Sequence, residues 1–198
     1  MLKLSIGRKR KATMRIFFAV DLPEKTKTEI GEISAELQKK HKHHAIRWTK
    51  PENMHVTLQF QANVNETDIP QLIQNVRAEI QGFESFELQL EKIELFPTPY
   101  RPHVISIKLN PNPVLAMLSS QIGSGVVKTG YEIEKRPFRG HLTLARLPPA
   151  KKLFELDEIT FSGLEKVRVQ QIILYKSEPG EKGSRYTKLE TIELKHKN

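Results

Sequence analysis

Two short stretches, His55–Leu58 (HVTL) and His141–Leu144 (HLTL), repeat one order of residue types in the two halves of the chain. A proline stands four residues before each copy, at Pro51 and at Pro137. In a strand, successive side chains point to opposite faces, so the histidine and the threonine of each copy share one face. We therefore predict two strands that each present an imidazole beside a hydroxyl and are anchored by apolar residues on the other face.

Two such strands lying side by side would bring two imidazoles and two hydroxyls to one cleft, which suits phosphoester chemistry. A neutral imidazole, from His55 or His141, can take a proton from the attacking group while the other, protonated, gives one to the leaving oxygen. The hydroxyls of Thr57 and Thr143 can donate hydrogen bonds to non-bridging phosphoryl oxygens. A single copy is more typical of a partly exposed strand histidine. The repetition favours a function, but its near-symmetry does not decide which histidine is the base.

The composition limits the class of protein. The chain has 198 residues, no cysteine, 38% hydrophobic residues and 28% charged ones. The apolar fraction is too high for a disordered chain, and without cysteine no disulfide framework or thiol nucleophile is available. The longest apolar run, Ile16–Val20, is far shorter than the roughly 20 residues of a membrane helix. We expect a soluble, cytoplasmic protein without membrane contact.

The charge is uneven along the chain. A net charge of +9 favours an anionic partner such as RNA, DNA or a phosphorylated small molecule. Residues 1–13 hold five cations and no acid, and we predict a basic disordered tail, with a nucleic-acid-binding arm as the alternative. Residues 14–198, the predicted single domain, keep only +4, because 27 Lys and Arg face 23 Asp and Glu. The prediction of a phosphate substrate therefore depends on the histidines and threonines.

Hydrophobic periodicity predicts a mixture of helices and strands. The predicted helices are Pro23–Lys42, Asp68–Ile80 and Pro113–Lys128. The predicted strands are Arg15–Leu22, Arg47–Thr49, His55–Phe60, Phe86–Phe96, Val104–Leu109, His141–Arg146, a strand at Phe161, Val167–Tyr175 and Tyr186–Leu194. Because the order shows no strict βαβ alternation, we predict an α+β fold with largely antiparallel sheets.

Longer stretches around the two motifs resemble the two-histidine (2H) phosphoesterases, specifically the bacterial and archaeal RNA 2′,3′-cyclic phosphodiesterases, also called the 2′-5′ RNA ligase family. The resemblance runs from Met14 to about Leu194. It is carried by Arg15–Pro23 (RIFFAVDLP), Trp48–Leu58 (WTKPENMHVTL), Arg136–Arg146 (RPFRGHLTLAR) and Leu174–Ser177 (LYKS), with Tyr186 and Leu189. Two positions depart from the family pattern: Phe60-Gln61-Ala62 replaces a usual Phe-Leu-Gly, and Gly140 stands where proline is common.

The resemblance implies two similar lobes about a pseudo-twofold axis, each an antiparallel sheet with helices on its outer face, and an active-site cleft between them. It implies that His55 is the proton donor to the leaving 3′ oxygen and that His141 is the proton acceptor that activates water. The product would be a 2′-phosphomonoester. The reverse reaction would join a cyclic phosphate end to a 5′-hydroxyl end as a 2′-5′ linkage. The resemblance implies no metal and no other cofactor.

Three further residues are candidates for binding the substrate. Arg146 matches the family's phosphate-binding arginine after the second motif. Strand alternation opposes this role, since Arg146 and His141 differ in parity, and the strand would have to end or bulge near Ala145. Phe17 and Trp48 are candidates for stacking on a base, with core packing as the alternative for each.

The remaining candidates are weaker. The histidines of residues 41–44 (HKHH) lie at a charged helix end without cysteine or an acid at ligand spacing, so we predict a solvated surface and no metal site. Lys135, Arg136 and Arg139 either follow an RNA backbone or are ordinary surface charge. The alternative function is that of a non-catalytic RNA-binding protein using its basic surface. We expect no obligate protein partner and a monomer.

Overall fold

Strands dominate the computed structural model, which describes residues 12–42, 45–149, 156, 159, 165–180 and 183–196. The helices in these residues are α1 (Glu24–Lys40), α2 (Ile69–Ile80) and α3 (Asn112–Lys128). The strands are β1 (Thr13–Asp21), β2 (Arg47–Trp48), β3 (His55–Asn65), β4 (Phe86–Phe96), β5 (Val104–Asn110), β6 (His141–Arg146), β7 (Val167–Val169), β8 (Gln171–Gly180) and β9 (Gly183–Glu193).

Most predicted helices and strands are confirmed to within a few residues. The predicted strand Val167–Tyr175 is wrong in one respect, because it divides into β7 and β8 at Gln170. The physical reason is that β7 pairs with β4 whereas β8 pairs with β1, so the chain crosses between two parts of the sheet. The predicted strand at Phe161 and residues 1–11 of the predicted tail lie outside the described residues.

The strands form one curled antiparallel sheet with the order β7-β4-β5-β6-β3-β1-β8-β9, and β2 pairs with β6. The α+β class is confirmed. Each half of the sheet contains a strand, then a helix, then a motif strand antiparallel to the first: β1, α1 and β3 in one half, and β5, α3 and β6 in the other. The two motif strands are neighbours through the pair Val56–Leu142, and so lie at the centre of the sheet.

The apolar residues of both motifs point into the core, as the alternation predicts. Val56, Leu58, Leu142 and Leu144 are each at most 3% exposed and belong to one continuous hydrophobic cluster. Burying such a side chain stabilises the folded state by about 1.5–3 kcal/mol relative to leaving it in water. Each motif strand is therefore fixed from behind, and its polar face is left for the site. Among the described residues, no helix has the length and apolar character needed to cross a membrane.

Candidate active site

A cavity of about 160 Å³ lies where the two motif strands meet. His55 and Thr57 line it from β3, and His141 and Thr143 line it from β6. The four side chains converge because β3 and β6 are antiparallel neighbours and because each histidine shares a strand face with its threonine. Arg146 lines the same cavity. The residues that the sequence selects for proton transfer and phosphate binding are thus brought together.

The ring of His55 is held in a defined orientation. Its Nδ1 lies 2.8 Å from the backbone carbonyl oxygen of Asn53, and its Nε2 lies 3.0 Å from Oγ1 of Thr57. A carbonyl oxygen only accepts hydrogen bonds, so in the neutral ring Nδ1 carries the proton. Phe17 stacks on the imidazole with 4.6 Å between ring centroids, and Tyr186 meets it edge-on at 5.3 Å. Nε2 is therefore the atom available for proton exchange.

His141 is held in the same way in the other half of the sheet. Its Nδ1 lies 2.9 Å from the backbone carbonyl oxygen of Arg139, which again precedes the histidine by two residues. Phe96 stacks on the imidazole with 4.1 Å between centroids, and the guanidinium carbon of Arg139 lies 4.8 Å from the centroid of Phe96. In both halves, therefore, the histidine of the motif has the same tautomer and an aromatic ring stacked on its imidazole.

The environment lowers the pKa of both histidines below the usual 6.5, chiefly because burial disfavours the charged ring. At His55 the Asn53 carbonyl and the Asp21 carboxylate oppose this effect, whereas nearby cations add to it. At His141 the Arg139 carbonyl and Glu94 oppose it, and cations again add to it. Both imidazoles are therefore mostly neutral at pH 7 in the free protein. A phosphodiester anion beside them favours the charged form and raises both pKa values.

A bulge in β6 places Arg146 on the cavity side. The pairing with β5 moves from Ser106–Thr143 to Ile105–Ala145, so Leu144 is an extra residue on β6. The extra residue reverses the alternation, and Arg146 is exposed and lines the cavity. The bulge resolves the parity conflict that the sequence raises.

The first motif contains an equivalent bulge. The pairing with β1 gains one residue at Leu58, the position that corresponds to Leu144 of the second motif. Phe60 consequently turns toward the cavity, as Arg146 does in the other half. Each histidine is thus followed five residues later by a second cavity-lining side chain, aromatic in one half and cationic in the other.

Phe60 is the functional candidate that the sequence analysis misses. Its ring is 45% exposed, it lines the cavity, and the guanidinium carbon of Arg15 lies 5.4 Å from its centroid. Strict alternation puts Phe60 on the buried face, where an aromatic residue is ordinary. Only the bulge, which depends on the neighbouring strand, reveals the exposed position.

The two aromatic residues predicted as stacking candidates differ in position, because Phe17 lines the cavity and Trp48 does not. Phe17 is 3% exposed and stacks on both His55 and Tyr175, with centroid distances of 4.6 and 5.3 Å. Trp48 is partly buried against the core, and it does not line the cavity. Stacking of a base on Phe17 or Trp48 stays a prediction, and Phe60 adds a third ring that is exposed at the cavity.

The unusual Gly140 has a specific contact. Its backbone N–H donates a hydrogen bond to Oδ1 of Asn112 at 2.8 Å, which a proline could not do. A Cβ atom at this position would lie 2.9 Å from Cδ1 of Leu115. Glycine therefore lets the first turn of α3 approach the second motif closely.

The side chains of the other sequence candidates that the structure describes do not line the cavity. Arg136 pairs with Glu134 at 2.8 Å, and Arg139 donates to the carbonyl oxygen of Pro97 at 3.0 Å. Lys135 does not line the cavity. Among the described residues, no group of three or more histidine, aspartate or glutamate side chains is arranged to hold a metal ion, and residues 43–44 lie outside them.

Comparison with known proteins connects this site to a family. A family model described as LigT-like phosphoesterase matches residues 20–106. The chain is 30% identical over 134 residues to the RNA 2′,3′-cyclic phosphodiesterase of Methanocaldococcus jannaschii, covering 68% of this chain and 72% of that protein. It is 29% identical over 185 residues to the protein of the same name from Methanothermobacter thermautotrophicus, covering 91% of this chain and 99% of that protein.

Solved structures agree with these relatives. A Thermus thermophilus protein superposes with a TM-score of 0.78 at 27% identity, over 93% of this chain and 100% of that one. Escherichia coli LigT complexed with 3′-AMP superposes with a TM-score of 0.75 at 25% identity, over 92% of this chain and 99% of that one. The resemblance seen in the sequence is confirmed. From its paired motif strands and from these likenesses, we conclude that the chain belongs to the LigT-like phosphoesterase family.

Proposed function

We propose that this protein hydrolyses RNA ends that carry a 2′,3′-cyclic phosphate and leaves a 2′-phosphomonoester. The observation that carries the proposal is the pair of equivalent imidazoles, His55 and His141, which meet at one cavity from the two halves of the sheet. Each has its Nδ1 on a backbone carbonyl, so that each Nε2 is available to exchange a proton. The curated relatives described above are named for this activity.

The reaction needs one base and one acid. Nε2 of His141, neutral, takes a proton from water as the water oxygen bonds to phosphorus. Protonated Nε2 of His55 gives its proton to the 3′ oxygen as the bond between that oxygen and phosphorus breaks. The phosphate stays on the 2′ oxygen, the 3′ hydroxyl is restored, and the two histidines have exchanged protonation states. Solvent then returns each ring to its starting form.

The phosphate and the base are held by the other residues of the cavity. The hydroxyls of Thr57 and Thr143 donate to the non-bridging oxygens, and the guanidinium of Arg146 neutralises their charge. The exposed ring of Phe60 is the surface on which the nucleobase of the terminal nucleotide stacks. In this proposal the side chains of the cavity carry out the reaction. That it proceeds without a metal stays a prediction.

Ligation would use the same groups with a different nucleophile. A 5′-hydroxyl end that replaces water at His141 would be joined to the cyclic phosphate as a 2′-5′ linkage. The alternative of a non-catalytic RNA-binding protein is less well supported, because Glu134 and the Pro97 carbonyl already engage two cations near the second motif. The monomeric state and the cytoplasmic location stay predictions.

The proposal is tested with the full chain and a nucleoside 2′,3′-cyclic phosphate in excess chelator. We expect turnover to a 2′-phosphate, with the phosphate position identified by phosphorus NMR of the product. A nucleoside 3′,5′-cyclic phosphate is the control substrate and should remain intact. Turnover that requires added metal, or a 3′-phosphate product, would contradict the proposal. Salt-sensitive RNA binding without any turnover would favour the binding-protein alternative.

A further inference from the structure

An ion pair that is largely buried joins α1 to the end of β1. Lys27 of α1 is 5% exposed, and its Nζ lies 2.9 Å from Oδ1 of Asp21 and 3.2 Å from Oε1 of Glu24. The backbone N–H of Leu22 donates to Oδ1 of Asp21 at 2.9 Å, and the hydroxyl of Tyr175 donates to Oδ2 at 3.1 Å. Burying charged groups disfavours folding unless they are paired and hydrogen-bonded, as they are here. The carboxylate of Asp21 is thus held from three sides.

This carboxylate lies on the same face of the sheet as the first histidine. Asp21 and His55 are direct partners across β1 and β3, and directly opposed residues of an antiparallel pair share a face. Tyr175, which donates to Asp21, stacks on Phe17, and Phe17 stacks on the imidazole of His55, with centroid distances of 5.3 and 4.6 Å. Asp21 and Tyr175 are therefore connected to His55 in two ways, by the charge of the Asp21 carboxylate and by the stacked rings of Tyr175 and Phe17.

The second half of the sheet has a lysine at the corresponding place. The direct partner of His141 across β5 and β6 is Lys108. The Nζ of Lys108 lies 2.7 Å from Oε2 of Glu91, and its side chain is 51% exposed. The cross-strand partner of His55 is thus a carboxylate fixed by its contacts, whereas that of His141 is an exposed lysine, and the carboxylate that raises the pKa of His141 is that of Glu94. The two motifs are equivalent in sequence but not in electrostatic surroundings.

We propose that Asp21 is a positioning residue that favours the protonated form of His55, with Lys27 and Tyr175 fixing its carboxylate. The first half of the sheet then supplies the acid of the reaction, a point that the motif sequence leaves open. This inference rests on the proposed function, because it assigns the origin of the acid in that reaction.

Several charged or titratable groups face His55, and their effects differ in sign. Burial lowers the pKa of His55, Asp21 on β1 raises it, and Lys27 on α1 and Arg146 on β6 lower it further. Tyr175 on β8 is kept protonated, because burial and the neighbouring Asp21 raise its pKa. Tyr186 of β9 contacts the imidazole through its ring edge.

The charge of Lys27 is itself maintained by the network. Burial alone would lower the pKa of Lys27, but its hydrogen bonds and its attraction to Asp21 and Glu24 raise that pKa above 10.5. Lys27 is therefore a cation near neutral pH, and it weakens the effect of Asp21 on the imidazole while fixing the carboxylate in place. Removal of the Asp21 charge should therefore lower the pKa of His55, and removal of the Lys27 charge should raise it.

The test is an NMR titration of the two motif histidines in the full chain. Asp21→Asn should lower the pKa of His55 by about half a pH unit or more, because the amide removes the anion and leaves Lys27 paired with Glu24 alone. Lys27→Met should raise it. Tyr175→Phe keeps both charges and should cause a smaller shift. His141 is the internal reference and should move less than His55 in each variant.

A matched control is available in Asp68, whose carboxylate likewise accepts a hydrogen bond from a tyrosine hydroxyl, that of Tyr131 at 2.6 Å. Asp68→Asn should leave the titration of His55 unchanged. The inference is wrong if Asp21→Asn and Lys27→Met shift His55 in the same direction or not at all. If Asp21→Asn does not fold, as judged by circular dichroism, the upward shift in Lys27→Met decides the question.

The rate profile gives a second readout that a merely structural role would not move. Since the acid must be protonated, the alkaline limb of kcat/KM should move to lower pH in Asp21→Asn and to higher pH in Lys27→Met. Shifts in the NMR titration without matching shifts in the rate would refute the role of Asp21 while leaving the proposed function intact. Absence of turnover in the unaltered chain would refute the proposed function instead, and the titrations would still report the coupling.

Discussion

Replacing Arg146 by alanine should remove the charge that holds the phosphate without disturbing the fold. The side chain of Arg146 is exposed and lines the cavity. Among the described residues, the arginines that form ion pairs are Arg77, Arg136 and Arg185, and Arg146 is not one of them. Hydrogen bonds to charged groups contribute about 1.5–3 kcal/mol. The loss should lower kcat/KM for a nucleoside 2′,3′-cyclic phosphate by about 10-fold to 150-fold.

The same substitution should also shift the pH dependence. Arg146 lowers the pKa of both motif histidines, so its removal raises both and moves both limbs of the kcat/KM profile to higher pH. Arg146→Lys keeps the charge but loses the planar pair of donors, so its kcat/KM should lie between that of Arg146→Ala and that of the unaltered chain. Because the backbone pairs of residue 146 with Val104 and Arg47 do not involve the side chain, the melting temperature should stay constant.

The assay measures initial rates across substrate concentration and pH, together with thermal melting of each variant. Arg136→Ala is the matched control, since that side chain is 84% exposed and pairs with Glu134 outside the cavity. It should keep nearly the full kcat/KM. The reasoning is refuted if Arg146→Ala retains the rate of the unaltered chain, or if Arg136→Ala loses as much.

Three further predictions concern stacking of the nucleobase, packing between α2 and α3, and binding of inorganic phosphate. Phe60→Ala should weaken binding of a nucleotide product by about 1–3 kcal/mol in calorimetry, whereas Phe60→Trp should retain it; equal affinities would exclude stacking on this ring. Gly125→Ala should destabilise the fold by about 1–3 kcal/mol in denaturant unfolding, because its Cβ would lie 2.7 Å from Cα of Val76. Gly82→Ala, which meets nothing within 4 Å, should not destabilise it. Inorganic phosphate should raise the NMR-measured pKa of both motif histidines, and unchanged values would mean that the anion binds elsewhere.

The central pairing of the site could be predicted from the sequence because it depends on local periodicity. Alternation within each motif puts the histidine and the threonine on one face and two apolar residues on the other, and the structure buries Val56 and Leu142 as expected. The apolar residues on the other face require burial, so the register of each motif strand is strongly constrained. The division of Val167–Tyr175 into β7 and β8 could not be predicted this way, since it reflects two different pairing partners.

The positions of Phe60 and Arg146 depend on contacts that no local pattern reveals. Both follow a bulge at the leucine of a motif, and a bulge is defined by the register with a neighbouring strand. The parity of a regular strand therefore gives the wrong face for both residues. The difference between Asp21 opposite His55 and a lysine opposite the second histidine is likewise a matter of strand register.

The most direct test of the account is the rate of 2′,3′-cyclic phosphate hydrolysis in excess chelator by His55→Ala, His141→Ala and the double variant. Each single variant should lose about 10²-fold to 10⁴-fold in kcat, and the double variant should lose much less than the product of the two, because acid and base act in one step. Binding of the product, measured by calorimetry, should persist in the folded variants. If either single variant keeps the full rate, or if metal restores it, then paired acid–base catalysis by these two histidines is wrong.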